Sequence, residues 1–219
     1  MRLNKFLGKN TILSRRKADT AISNGRVKVN GKVAKLGVDI SSGDTVTLDG
    51  KIVDIIETEL LTILLNKPVG YVCSKDGQGS KTVYDLLPAK YRNLNIAGRL
   101  DKDSSGLVVL TNNGNLLNEL THPSKNKQKI YEVTLDKSLR PEELTMLTTG
   151  VNIGDNRLSR FKSINEISSK KYEVILEEGR NRQIRRTFEA LRYKVTLLQR
   201  TEMGNFKLQG LVPGDHRQQ

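Results

Sequence analysis

Apolar and polar positions along this chain follow two different plans, one over the first fifty or so residues and another after about residue 60. Near the N-terminus, Leu3, Phe6 and Leu7 recur at helical spacing, and Ser14 stands where it can cap a second helix that runs through Ile22 and ends at Asn24-Gly25. Val27 to Val29 reads as a short strand, Asn30-Gly31 as a tight turn, and Gly43-Asp44 as the break before a strand at Thr45 to Leu48. After Asp49-Gly50 the pattern turns acidic and irregular through Asp54, Glu57 and Glu59. This predicts a domain over 1–50, a linker over 51–60 and a second domain over 61–219.

The second domain interleaves strands and helices. Leu61 to Leu65 reads as a strand, and Asn66 to Gly70 as a turn imposed by Pro68 and Gly70. Asp76 to Ser80 is a polar loop and Thr82 to Leu87 a short helix. Leu107 to Leu110 is a continuous apolar run, expected as a buried strand, with Gly106 letting the chain turn tightly into it. Asn112-Asn113-Gly114 is a turn leading into a helix at Asn115 to Leu120. Ile130 to Leu135 alternates, with Tyr131, Val133 and Leu135 on one face. Pro141 and Glu142-Glu143 open a helix that Gly150 stops. A strand at Tyr172 to Leu176, a helix at Arg182 to Leu191 and a strand at Val195 to Leu198 follow. The hairpin-like links argue against a purely parallel sheet and for an α+β class.

Composition adds a partner class. With 37 Lys+Arg against 24 Asp+Glu, the net charge of +13 points to a polyanion, although charge alone does not separate RNA, DNA and anionic membrane. Its distribution is uneven. Between Arg2 and Lys35 ten basic residues face Asp19 alone, and between Gly179 and Arg200 seven face Glu189 alone. The N-terminus has no leader pattern and no apolar run approaches the roughly 20 residues of a membrane helix, so a cytoplasmic location with no membrane partner is expected. Cys73 is a single cysteine and His122 and His216 are the only histidines, so neither a disulfide within the chain nor a zinc cluster is expected.

The chemistry-bearing stretch is Gly98-Arg99-Leu100-Asp101-Lys102-Asp103-Ser104-Ser105-Gly106-Leu107, which sets an Arg and two Asp in a short break at the mouth of a core strand. Read alone, it is equally an Asp-rich turn capping that strand. In the helix from Arg182, Ile184, Phe188 and Leu191 form the apolar stripe and Arg185 flanks it, so Arg185 either leans inward onto an acid or extends to phosphate or water. Tyr131 and Leu198, on apolar strand stretches, read by themselves as ordinary strand core.

Two resemblances weigh these alternatives. Arg2-Leu3-Asn4-Lys5, Ser14-Arg15-Arg16-Lys17-Ala18, Gly25-Arg26-Val27, Val29-Asn30-Gly31 and Gly43-Asp44 resemble, in order, the S4 RNA-binding domain over residues 2–50. In the second domain, Gly98 to Leu107, Lys129-Ile130-Tyr131-Glu132-Val133 and Gly179 to Arg186 resemble three motifs of the RNA pseudouridine synthases. Together with Leu65 to Gly70, they place the resemblance in the ribosomal-RNA branch of that family. It implies a small S4-like domain joined to a catalytic domain with a mixed, mainly antiparallel sheet flanked by helices. The implied activity is isomerisation of uridine to pseudouridine in ribosomal RNA by base flipping, without a cofactor.

By the same resemblance, Asp101 is the nucleophile and Asp103 a loop or capping group. Arg185 is the ion-pair partner that keeps Asp101 ionised. Tyr131 packs on the flipped base and is a candidate acceptor of its carbon-5 proton, while Arg99, Leu100 and Leu198 line the pocket. Arg2, Lys5, Arg15, Arg16, Lys17, Arg26, Lys28, Arg180, Arg182 and Arg186 are expected on RNA phosphates. The expected partner is ribosomal RNA or an assembling ribosomal subunit, bound by a monomer. The chain ends at Gln219 without a long basic tail, so targeting by such a tail is not expected. The rival is a non-catalytic assembly factor holding ribosomal RNA on the same basic surfaces; intact Asp101, Tyr131 and Arg185 favour the enzyme. An aspartate-dependent hydrolase is disfavoured by the lack of a second positioned carboxylate.

Overall fold

The computed structural model describes residues 1–56 and 59–219, which divide into two compact units, Met1–Glu59 and Leu60–Gln219. In the first, helices α1 (Leu3–Asn10) and α2 (Arg15–Ser23) precede strands β1 (Val27–Val29), β2 (Lys32–Val33), β3 (Val46–Leu48) and β4 (Lys51–Ile52). Ser14 caps α2 as expected, its Oγ accepting from the Lys17 N–H at 3.2 Å. Asn30 and Gly31 both have positive φ (50° and 76°), the geometry of the tight hairpin turn between β1 and β2. Leu3, Leu7, Ala18, Ile22, Val27 and Val46 form the core.

The expected linker over 51–60 needs correction. Asp49 and Gly50 also take positive φ (52° and 80°), so they make a second hairpin turn rather than an exit, and β4 pairs back on β3. Val53 packs on the same core, and the Ile56 N–H donates to Asn10 Oδ1 at 2.9 Å. The unit therefore extends to Glu59; Glu57 of the expected linker lies outside the described residues.

The second unit runs β5 (Thr62–Lys67), β6 (Asn95–Ala97), β7 (Ser105–Thr111), α3 (Gly114–Thr121), β8 (Lys129–Leu135), α4 (Pro141–Thr149), β9 (Ser163–Ser168), β10 (Lys171–Leu176), α5 (Gln183–Ala190), β11 (Val195–Met203), β12 (Phe206–Lys207) and β13 (His216–Gln218). The segment expected as a helix at Thr82 to Leu87 is a single 3₁₀ turn, Val83–Leu86, with Thr82 and Asp85 bonding each other's backbone at its start. Among the described residues the strands form one sheet in the order β13-β5-β7-β11-β8-β10-β9, with β6 also on β7 and β12 on β11. All pairings are antiparallel except that of β7 with β11, so the sheet is mixed and mainly antiparallel.

The apolar run in β7 is continuous because both faces of the strand are covered. Val108 and Leu110 join the larger core with Ile63, Leu65, Tyr131 and Phe188, while Leu107 and Val109 join Leu64, Leu120 and Met203 on the other face. All four β7 side chains are fully buried, each stabilising the fold by about 1.5–3 kcal/mol.

Gly106 lies inside β7, not in a turn before it. Its φ is 103°, and a Cβ there would stand 2.2 Å from the Arg200 carbonyl oxygen and 2.6 Å from the Arg200 nitrogen. Only glycine lets β7 and β11 meet here. Gly106→Ala is expected to destabilise the second unit by about 3 kcal/mol or more, from backbone strain and overpacking together. Urea titration checks this; a loss under about 0.5 kcal/mol, the range of ordinary surface changes, would show the close approach to be dispensable.

Candidate active site

β7 has β5 along one edge, but along the other it pairs with β11 only at Ser105 and Gly106 and then with β6 from Val109 to Thr111. The loop from β6 to β7, residues 98–104, carries Asp101 at this change of partner. Its backbone is held from four sides. Lys67, fully buried at the end of β5, donates through Nζ to the carbonyls of Ser104 (2.5 Å), Pro68 (3.0 Å) and Lys102 (3.5 Å). Gly70 N–H bonds the Lys102 carbonyl at 2.7 Å, and Leu100 N–H donates to Cys73 Sγ at 3.4 Å. Arg200 Nη2 bonds the Gly98 carbonyl and Arg185 Nη2 the Asp103 carbonyl, at 2.8 and 2.7 Å. Burial holds the Lys67 ammonium below its ordinary pKa, while the negative charges of Asp103 and Asp101 act the other way and the three carbonyls satisfy its N–H groups.

The two aspartates of this loop are treated differently. Asp103 is gripped by Arg182, Nη1 and Nη2 each donating at 3.0 Å, and Arg185 Nε lies 3.2 Å from its Oδ2 at an angle that makes no hydrogen bond. The bonds from Arg182, with the charge of Arg185, hold the Asp103 carboxyl below the usual carboxylate range. Asp101 has Arg182 3.7 Å from Oδ2, its one ion pair within 4 Å among the described residues, and there its carboxylate accepts no hydrogen bond; Lys67 and Arg185 act on it only from farther away. It faces a cavity of about 610 Å³.

The expected Asp101–Arg185 ion pair is therefore corrected. Arg185 instead bridges the Val195 carbonyl at the start of β11 (3.0 Å) to the Asp103 carbonyl, and Arg182 is the cation beside Asp101. Arg182 reaches this position from a left-handed backbone (φ 46°) at the start of α5, a conformation uncommon outside glycine. Arg185→Lys keeps the charge but cannot span two carbonyls. Turnover is expected to fall roughly 100-fold, as for a loop displaced by about 1 Å, with RNA affinity unchanged. A parallel loss of affinity would make Arg185 a phosphate contact instead.

Tyr131, Leu100, Leu198 and Arg99 all line the cavity with Asp101, the first three with little exposed surface. The basic residues divide. Arg15, Arg16 and Lys17 fill the first turn of α2, and Lys28 stands on β1; all are exposed, and none has a carboxylate within 4 Å among the described residues. Three cations at a helix N-terminus oppose the helix dipole, a cost that a bound anion relieves. Lys5 is also exposed, on α1.

Other expected phosphate contacts are engaged within the protein. Arg26 makes a two-point pair with Asp49, and Arg2 lies 3.5 Å from Asp39. Arg180 bonds Asp155, Glu178 and the carbonyls of Arg157 and Leu158; Arg186 bonds Asp155 and the Ile153 carbonyl. Arg182, as above, is committed to Asp103. The abundance of basic residues in this segment thus reflects internal bracing more than free charge.

Sequence reasoning missed Lys67 as a loop clamp and Arg200 as a buried side chain. Arg200 follows Leu198 by two, which in a strand puts both on one face, and that parity is the signal that could have found it.

The sequence model of the RNA pseudouridylate synthases matches residues 61–190, and that of the S4 domain matches residues 1–46. The chain belongs to the RNA pseudouridine synthases. It is 37% identical over 218 residues to the dual-specificity RNA pseudouridine synthase RluF of Escherichia coli K12, covering 99% of this chain and 74% of that protein. It is also 37% identical over 225 residues to the ribosomal large subunit pseudouridine synthase B of Bacillus subtilis, covering 99% and 91%. A crystal structure described as pseudouridylate synthase superposes with a TM-score of 0.73 at 32% identity, covering all of this chain and 96% of the other. The S4 domain at the N-terminus and the synthase fold after it make this an RNA-binding family member. The fold expected from the sequence is the one observed.

Proposed function

We propose that this pseudouridine synthase isomerises uridine in ribosomal RNA, with Asp101 as nucleophile. The observation that carries this reading is the contrast between the two loop aspartates. Asp103 is neutralised by arginines, whereas Asp101 is presented to the cavity without a hydrogen-bond partner among the described residues. A carboxylate held by a fixed loop yet uncommitted is what covalent attack on a flipped nucleotide needs. Attack by Asp101 on ribose carbon 1′ forms an ester there and breaks the bond to uracil nitrogen 1; the base turns on the Tyr131 ring, its carbon 5 bonds carbon 1′ and displaces the Asp101 carboxylate, nitrogen 1 takes up a proton, and carbon 5 gives one up, for which the Tyr131 hydroxyl is the acceptor we assign. Leu100 and Leu198 close the pocket against water. Similarity to RluF and to the ribosomal large subunit enzyme of Bacillus supports ribosomal RNA as the substrate class. We assign the S4 domain the docking role, and the working form as a cytoplasmic monomer.

The test is a pseudouridine map of ribosomal RNA from cells with and without the gene, the latter complemented with wild type or Asp101→Asn. At least one pseudouridine should vanish on deletion and return only with wild type. A map identical in all four strains would leave the non-catalytic assembly factor as the better reading.

A further inference from the structure

Arg200 is 1% exposed, yet among the described residues no carboxylate lies within 4 Å of it. A buried, unpaired guanidinium is costly unless its charge is met. Its Nε donates to the Leu107 carbonyl and its Nη2 to the Gly98 carbonyl, both at 2.8 Å, which fixes the plane of the group but supplies no negative charge. Nη1 donates to no protein group among the described residues. It borders the cavity beside Gly98, whose missing Cβ would stand 3.6 Å from it.

Lys129 lines the same cavity. It opens β8 two residues before Tyr131 and so shares its face, and Arg200 is the cross-strand partner of Tyr131 on β11. Lys129 Nζ donates to the Lys127 carbonyl at 3.0 Å, leaving two of its three protons unused, and it too lacks a carboxylate within 4 Å among the described residues. Two cations thus flank the candidate stacking tyrosine, and among the described residues no carboxylate pairs with either. Asp101, the cavity's uncommitted carboxylate, has Arg182 as its ion-pair neighbour, not these two.

We propose that Lys129 Nζ and Arg200 Nη1 form an anion subsite that holds a phosphate flanking the flipped uridine. The inference rests on the cavity being the uridine site. A phosphate suits it better than a uracil carbonyl because two whole positive charges call for a whole negative one, whereas a carbonyl supplies only a dipole. Burial, and then the charge of Arg200, hold the Lys129 ammonium below its ordinary pKa, and an anion between the two would relieve both effects. Anchoring the phosphate beside Tyr131 would keep the ribose in place while the detached base turns.

The experiment uses the full-length protein and two small probes, uridine and uridine 3′,5′-bisphosphate, with binding followed by NMR through the arginine Nε–H and tyrosine ring signals. The bisphosphate should bind wild type at least about tenfold more tightly, the contribution of one charge-assisted hydrogen bond. Lys129→Met should abolish that preference while binding uridine like wild type, and Lys129→Arg should restore most of it. Lys129 begins its strand and is half-buried, so both variants should fold; matching circular dichroism melts verify that. Equal affinity of wild type for the two probes, or a preference that survives in Lys129→Met, would overturn the subsite. Phosphate preference without any pseudouridine formation would instead sink the functional reading and leave the subsite standing. Turnover on RNA with no Lys129-dependent preference would do the reverse.

Discussion

Asp101→Asn is expected to lower turnover by about 10⁴-fold or more, the scale on which enzymes lose rate when a nucleophile is removed. The substitution keeps size and polarity, and the Asp101 carboxylate holds no internal hydrogen bond among the described residues, so folding should be unaffected. RNA affinity should stay within a few-fold of wild type. Tritium release from uridine labelled at carbon 5, measured beside filter binding, reads both quantities. Turnover at a tenth of the wild-type rate or better would remove Asp101 from the covalent role. Asp103→Asn is the informative contrast. It breaks the pair with Arg182, so it should cost stability that wild type retains at neutral pH. Because the Asp103 carboxyl is held below its unfolded range, that contribution is present above the ordinary carboxylate pKa and disappears as pH falls through the lowered one.

Removing the first unit should have the second large effect, on affinity rather than chemistry. Residues 60–219 contain the whole nine-stranded sheet and both of its cores, and should fold alone. They lack Arg15, Arg16, Lys17 and Lys28, four exposed cations with no carboxylate within 4 Å among the described residues. If each contacts one phosphate, the slope of log affinity against log salt should shrink by about three units, at 0.7–0.9 per contact, and affinity near physiological salt should fall on the order of 100-fold. Binding of ribosomal RNA at several salt concentrations by full-length and shortened protein makes the comparison. An unchanged slope would transfer recognition to the second unit, where Arg180, Arg182 and Arg186 are already engaged and Lys129, Arg200 and Arg99 would have to supply it.

Much of the architecture could be read in one dimension because its signals are local. Helix α2 needs only Ser14 before it and Asn24-Gly25 after it, and β8 needs only the alternation of Tyr131, Val133 and Leu135. Other strands, β6, β9 and β13 among them, carry no such signal. β13 is three residues of polar character that become a strand because β5 offers an unpaired edge. β9 is largely exposed; apart from Ile164, half-buried on the larger core, it holds its place by pairing with β10.

Motif spacing and side-chain periodicity are properties of neighbours along the chain, and they suffice for the two-unit order, the class of fold, the family and the candidacy of Asp101 and Tyr131. Which charges meet is set by contacts between distant segments. Arg182 caps and Arg185 lies within the first turn of α5, three residues apart, and nothing local says which of them meets Asp101 or Asp103, about eighty residues away. Nor could composition tell that Arg180 and Arg186 brace Asp155 while Arg15 to Lys17 remain exposed. Ion pairs and buried cations depend on positions fixed to within an ångström by packing between distant segments, here by Gly106 letting β7 touch β11 and by Lys67 tying β5 to the loop from β6 to β7. Coulomb and hydrogen-bond energies change steeply over that distance, while the pattern of apolar residues does not register it.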